Sequence, residues 1–109
     1  MKMVVSIEEF RKIDIRIGKV ISVEEIPGSE KLYKLTVDFG SEKRQAVSGL
    51  KGYYTADDLL NKKFAFVFNL EHKKFMGVES ECMILAAEDG DKIALLVPDK
   101  DVSVGSKVV

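Results

Sequence analysis

The chain has 109 residues, 46% hydrophobic and 32% charged, which fits one globular domain with its own core and excludes a largely disordered polypeptide. Lys and Arg number 17 against 18 Asp and Glu, so the net charge of −1 advertises no polyanionic partner, and any such site needs charge sorted onto one face. One cysteine and one histidine exclude an internal disulfide framework and argue against zinc.

The apolar runs are too short to cross a bilayer, and Met1–Val5 is too brief for a secretory signal. A single free cysteine suits a reducing compartment, so a cytoplasmic setting without membrane attachment is expected. In chain order, Ser6 and Glu9 form a capping box for a short helix over residues 7–12, with Val5 and Phe10 at the staple positions. Its apolar side, Ile7 and Phe10, is expected to plug or flank the core.

Ile13, Ile15 and Ile17 alternate with polar residues, and Ile21 and Val23 continue that parity. Lys19 and Val20 break it directly after Gly18, which suggests a bulge or bend within one long coiled strand. Pro27-Gly28 marks a turn. Tyr33, Leu35, Val37 and Phe39 alternate in a half-buried second strand, and Gly40–Glu42 turns it into a third, Lys43–Ser48. Thr55 and Asp58 cap a second short helix, with Tyr54 and Leu59 as its staple pair.

Residues 62–70 form the fourth strand. Phe64, Phe66 and Phe68 share one face of it, but Ala65 and Val67 make the other face equally apolar. A strand buried on both sides therefore explains the three rings better than a base-stacking platform does. A fifth strand is expected over 82–88, a turn at Glu88–Asp91, a sixth strand over Lys92–Val97, and an extended tail over 102–109.

Three strands, a helix and two more strands give an all-β class and the order of an OB-fold, a five-stranded Greek-key barrel. Here it carries a short N-terminal helix, a helix between strands 3 and 4, and a C-terminal hairpin extension. Closing the sheet removes the exposed edges of so small a β domain. No repeat or linker divides residues 1–109, which read as one domain.

Function concentrates in Asn69–Met83, a polar loop held between two apolar strands. The chain lacks a phosphate-binding glycine loop, a nucleophile elbow and a metal-binding helix motif. Cys82, at a strand start, reads as a small buried residue rather than as a nucleophile paired with His72. Binding fits better than catalysis, and no cofactor is implied. OB barrels bind polynucleotides over strands 2–3 and the loops around them. The candidates there are Lys31, Lys34, Arg44 and Ser48, then Asn69, Lys73, Lys74, Ser80 and Met83. The cations would neutralise phosphates, Asn69 and Ser80 would add hydrogen bonds, and Met83 would offer a polarisable surface to a base. The plainer alternatives are a solvated pair for Lys73 and Lys74, a strand-edge charge for Arg44, and core packing for Met83.

At these same residues the sequence resembles a known family, the tRNA-binding domain at the C-terminus of many bacterial methionyl-tRNA synthetases. The same domain occurs in small stand-alone proteins and in endothelial-monocyte-activating-polypeptide-like chains. The resemblance rests on Asp14-Ile-Arg-Ile-Gly-Lys-Val20, Glu30-Lys-Leu-Tyr-Lys-Leu35, Arg44–Leu50 with Tyr53-Tyr54, and Asn69-Leu70 followed by Gly77–Ser80 and Met83. It implies an OB-fold that binds the outer corner of folded tRNA by shape, with little sequence preference. It places the RNA contacts at Lys31, Arg44, Ser48, Asn69, Lys74, Ser80 and Met83.

The resemblance also implies a homodimer built partly from the C-terminal extension, and a separate auxiliary subunit for a methionyl-tRNA synthetase catalytic chain. Glu71, His72, Met76 and Cys82 depart from the family's usual lysine, proline, arginine and small residue. Two other readings stay open. One is an export-related chaperone of the same fold that binds unfolded polypeptide; the other is a general single-strand binder. Methionine-lined surface suits the first, and a preference for unstructured over folded RNA would mark the second.

Overall fold

The computed structural model describes residues 3–109. Helix α1 (Ile7–Arg11) precedes β1 (Ile15–Glu25), β2 (Tyr33–Asp38) and β3 (Lys43–Ser48), and α2 (Ala56–Leu59) leads into β4 (Lys63–Val67). There follow β5 (Lys73–Phe75), β6 (Val78–Ser80), β7 (Met83–Ile84), β8 (Ala86–Asp89) and β9 (Lys92–Leu95). Five of these strands make one antiparallel sheet in the order β3-β2-β1-β4-β7, rolled into a nearly closed OB-type barrel.

The long β1 serves two partners in turn. Ile15–Lys19 pairs with β4, and Lys19–Glu25 pairs with β2. Where β2 has peeled away, the C-terminal tail takes its place: Ile17 N–H donates to Ser106 O, and the Gly105 and Val108 amides donate back to Ile17 O and Ile15 O. The expected extended tail thus covers an edge that would otherwise be open.

The irregularity in β1 falls at Ile21, not at Gly18. Val20 faces Val37 and Ser22 faces Thr36, leaving Ile21 unopposed. The extra residue resets the parity, so Val20 enters the barrel core while Ile17 is buried outside that cluster. Gly18 is small for a different reason. A Cβ there would lie 2.5 Å from Val37 Cγ1 and 2.7 Å from Phe39 Cε1, inside the packed interior.

The interior is filled by Leu35, Val37, Phe39, Ala46, Leu59 and Phe66, with Phe39 edge-on to Phe66 and Phe68 at 5.5 and 4.9 Å. All of Phe64–Phe68 is buried, as expected for a strand covered on both faces. Both capping boxes form. The two helices differ in task, however. Leu59 of α2 is fully buried, whereas α1 buries no residue and Ile7 stays 55% exposed. The barrel's own side chains already occupy its interior, so α1 has nothing to plug.

Beyond Phe68 the expected fourth strand stops: Phe68 N–H still bonds Asp14 O in register with the ladder, but the Asp14 amide goes to the Asn69 side chain and returns no bond to Phe68 O. Asn69–Met83 is not an irregular loop. It contains the β5–β6 hairpin, turned by Met76 and Gly77 at φ 51° and 82°, the paired positive values of a tight hairpin turn. The expected strand over 82–88 breaks at Leu85 into β7 and β8, since Leu85 bonds both Ala65 and Leu96. The C-terminal hairpin is β8–β9, and Tyr54 holds it by donating to Ile93 O and accepting from Leu95 N–H.

Gly18→Ala is expected to destabilise the fold by about 1–3 kcal/mol through overpacking against Val37 and Phe39. A urea midpoint equal to that of the parent chain would count against this account of the glycine.

Candidate nucleic-acid interface

Between the outer surface of β3, the β7 strand and the β5–β6 hairpin lies a cleft of about 590 Å³. Ser48, Lys73, Ser80 and Met83 line it, together with the apolar Val47, Leu70 and Phe75. Lys31 stands beside the lining residue Leu32, its carbonyl held by the Lys51 amide. The pairing Lys73↔Ser80 turns Lys73 towards the cleft, and strand alternation sends the adjacent Lys74 to the other face of the hairpin. Met83 remains 44% exposed, so it is not core packing.

The remaining candidates are tied into the fold. Ser80 is buried: its hydroxyl accepts from Val47 N–H at 3.0 Å and donates to Cys82 O at 3.1 Å. Asn69 Oδ1 accepts from Asp14 N–H at 2.8 Å, and its Nδ2 donates to Lys12 O at 2.7 Å, fastening the end of β4 to the α1–β1 connection. Arg44 donates through Nη1 to Phe68 O at 2.6 Å and through Nε to Glu42 at 2.8 Å, while its guanidinium lies 3.7 Å from the Phe68 ring centre. Its second terminal nitrogen, Nη2, has no partner among the described residues.

These bonds close the barrel. Gln45 receives Glu81 N–H on its carbonyl and donates its own N–H to Glu81 Oε1 and its Nε2 to Glu79 O. Ser80 Oγ and Glu81 Oε1 therefore act where a neighbouring strand's carbonyls would. Sequence reading missed Val47, Leu70 and Phe75 as lining residues and Gln45 as a seam residue. Only the unforeseen hairpin closes Leu70 and Phe75 over Val47 to make the cleft.

Arg16 also stacks on Phe68, at 3.9 Å, and grips Asp14 through Nε and Nη2. That hydrogen bond holds the Asp14 carboxyl below its ordinary value of 3.8. Burial pushes the Cys82 thiol up to about 12, so it stays neutral at physiological pH, as fits a packed side chain rather than a nucleophile. Among the described residues there is no cluster of three metal-ligating side chains, and no helix is long and apolar enough to cross a membrane.

Two outcomes follow from these bonds. Ser80→Ala leaves the partly buried Val47 amide unpaired and is expected to cost about 1–3 kcal/mol in chemical unfolding. An unchanged midpoint would remove Ser80 from the seam. The depressed Asp14 pKa stabilises the fold fully above the unfolded value, and that contribution is lost as pH falls through the folded value. Asp14→Asn should therefore flatten the acid side of the stability profile below about pH 4. Parallel acid limbs for the two chains would show that the Arg16 pair contributes nothing.

With this geometry in view, comparison with known proteins is decisive for the family. A family model described as "Putative tRNA binding domain" matches residues 15–107. The chain is 56% identical over 104 residues to a methionine–tRNA ligase of Pyrococcus furiosus, covering 95% of this chain and 14% of that one. It thus spans about one-seventh of the length of that relative. A crystal structure of a MetRS-related protein from Pyrococcus horikoshii superposes with a TM-score of 0.94 at 40% identity, covering 99% of this chain and all of that one. A CsaA chaperone protein from Picrophilus torridus superposes with a TM-score of 0.89 at 32% identity, over 97% of this chain and all of that one. The chain belongs to the tRNA-binding domain family, and it is related to the corresponding domain of methionyl-tRNA synthetase.

Proposed function

We propose that this chain binds folded tRNA by shape, with little sequence preference, through the cleft face and the β5–β6 hairpin. The observation that carries the reading is the convergence of Ser48, Lys73 and Met83 on one cleft, with Lys31 next to its lining residue Leu32, in a member of a tRNA-binding family. Lys31, Lys73 and Lys74 would neutralise phosphates, and Arg44 has one free nitrogen edge to add. Ser48 would supply a hydrogen bond and Met83 an apolar face. Ser80 and Asn69 serve binding by fixing the seam and the hairpin base. Base-paired RNA hides its base edges in a deep groove, so contacts of this kind read backbone shape. The domain itself needs no catalytic group for that task.

The chain is further proposed to act as a homodimer and as an auxiliary subunit of a methionyl-tRNA synthetase. Support for the dimer comes from exposed apolar side chains around α1 and the tail. Val5, Ile7 and Ile13 are exposed, as is Val108 in the tail, and α1 fully buries no residue against its own chain. A second reading has its own observation. The cleft lining is mostly apolar, with Leu32, Val47, Leu70, Phe75 and Ile84, and the CsaA likeness extends over nearly the whole chain. Such a lining would also accept an unfolded polypeptide.

Titration with folded tRNA at several salt concentrations, with heat-denatured tRNA and an unfolded peptide as competitors, separates the two. Salt-sensitive binding that resists both competitors is expected. Lys31→Gln and Lys74→Gln should each weaken binding alike for all tRNAs and lower the salt slope by roughly one. Competition by the peptide, with no binding of folded tRNA, would transfer the cleft to the chaperone reading.

A further inference from the structure

A second cationic surface lies away from the cleft. β2 runs from Tyr33, paired with Ser48 beside the cleft, to Asp38, paired with Lys19 and Lys43. Five residue steps place those ends about 17 Å apart. Near the far end a wide depression of about 570 Å³ is lined by Lys19, Lys62, Lys63 and Lys100, with Asp99 and Asp101. Three separate stretches supply those lysines: β1, the α2–β4 connection with the start of β4, and the segment after β9.

Lys63 is committed, donating to Asp101 at 2.8 Å and to Val102 O at 2.6 Å, which fixes the rim. Lys19, Lys62 and Lys100 form no ion pair among the described residues. Four lysines against two aspartates leave an excess of two positive charges. In the cleft lining, by contrast, Lys73 is cancelled by Glu71.

We propose that this depression is a second contact for RNA phosphates, engaging the backbone of the same folded RNA at a point remote from the cleft. The inference rests on the tRNA-binding reading and extends it. A chain of net charge −1 must gather its phosphate contacts from locally sorted cations. Arg44 is largely spent on the seam, and the cleft lining itself is neutral. A rigid folded RNA read by shape is best registered by contacts at two separated points, because each phosphate contact positions without reading sequence.

The test is the triple variant Lys19→Gln/Lys62→Gln/Lys100→Gln, titrated with folded tRNA across a salt series beside the parent chain and Lys92→Gln. The expected result is a salt slope lower by about two to three and a loss of affinity of about tenfold or more at low salt, with Lys92→Gln unchanged. Should the Lys19 change disturb β1 in far-ultraviolet circular dichroism, the double variant of the exposed Lys62 and Lys100 gives the same test with a slope change of about two. If the parent binds tRNA and the variants match it in slope and affinity, the second contact is overturned and the cleft reading stands. If the parent shows no salt-sensitive binding, both fall together.

Discussion

The barrel depends on one seam, where β3 meets the chain from Glu79 to Cys82. A sheet of five strands rolled this tightly leaves two edges that must find each other. Here they meet through Gln45, whose carbonyl accepts from Glu81 N–H, whose own amide donates to Glu81 Oε1, and whose side chain reaches Glu79 O. Ser80 Oγ then satisfies the Val47 amide, and Arg44 reaches across to Phe68 O. An unpaired buried amide is costly, so each of these side-chain bonds is part of the closure and not an ornament on it.

The same seam positions the cleft. Because Ser80 and Glu81 are pinned to β3, the β5–β6 hairpin stands over the outer surface of the sheet, and Lys73, Phe75 and Leu70 come to face Val47 and Ser48. Asn69 fixes the other foot of the excursion against the α1–β1 connection. Stability and site are therefore coupled. Under the proposed tRNA-binding reading, a change at Arg44 or Ser80 would act on binding through the geometry of the hairpin as well as through any direct contact.

The cluster around Phe68 links these parts. Arg16 and Arg44 both place their guanidinium groups against its ring, and Phe39 meets it edge-on from the core. Two cations are thereby held close together at the barrel surface, each with its own carboxylate, Asp14 for Arg16 and Glu42 for Arg44. The ring's electron-rich face and the paired acids together offset the mutual repulsion of the arginines. The cations proposed to meet a polyanion lie elsewhere, in lysines that make few internal bonds.

Local pattern was enough for the strands with alternation, for both capping boxes, for the buried Phe64–Phe68 run and for the family motifs. These follow from periodicities and spacings that a single stretch of chain carries by itself. The β5–β6 hairpin escaped because three-residue strands rich in charge show no alternation, and Met76 is a poor signal for a turn that prefers Asn or Gly. The bulge at Ile21, the exposed α1 and the break at Leu85 were settled by partners distant in sequence. So were the tasks of Arg44, Asn69 and Ser80: a polar side chain looks the same in sequence whether it meets a ligand or a backbone amide across a seam. Sequence alone determined the barrel class and the family; only the tertiary structure decided which polar groups were left free to bind, because hydrogen bonds between residues 24 to 57 positions apart had first claim on the others.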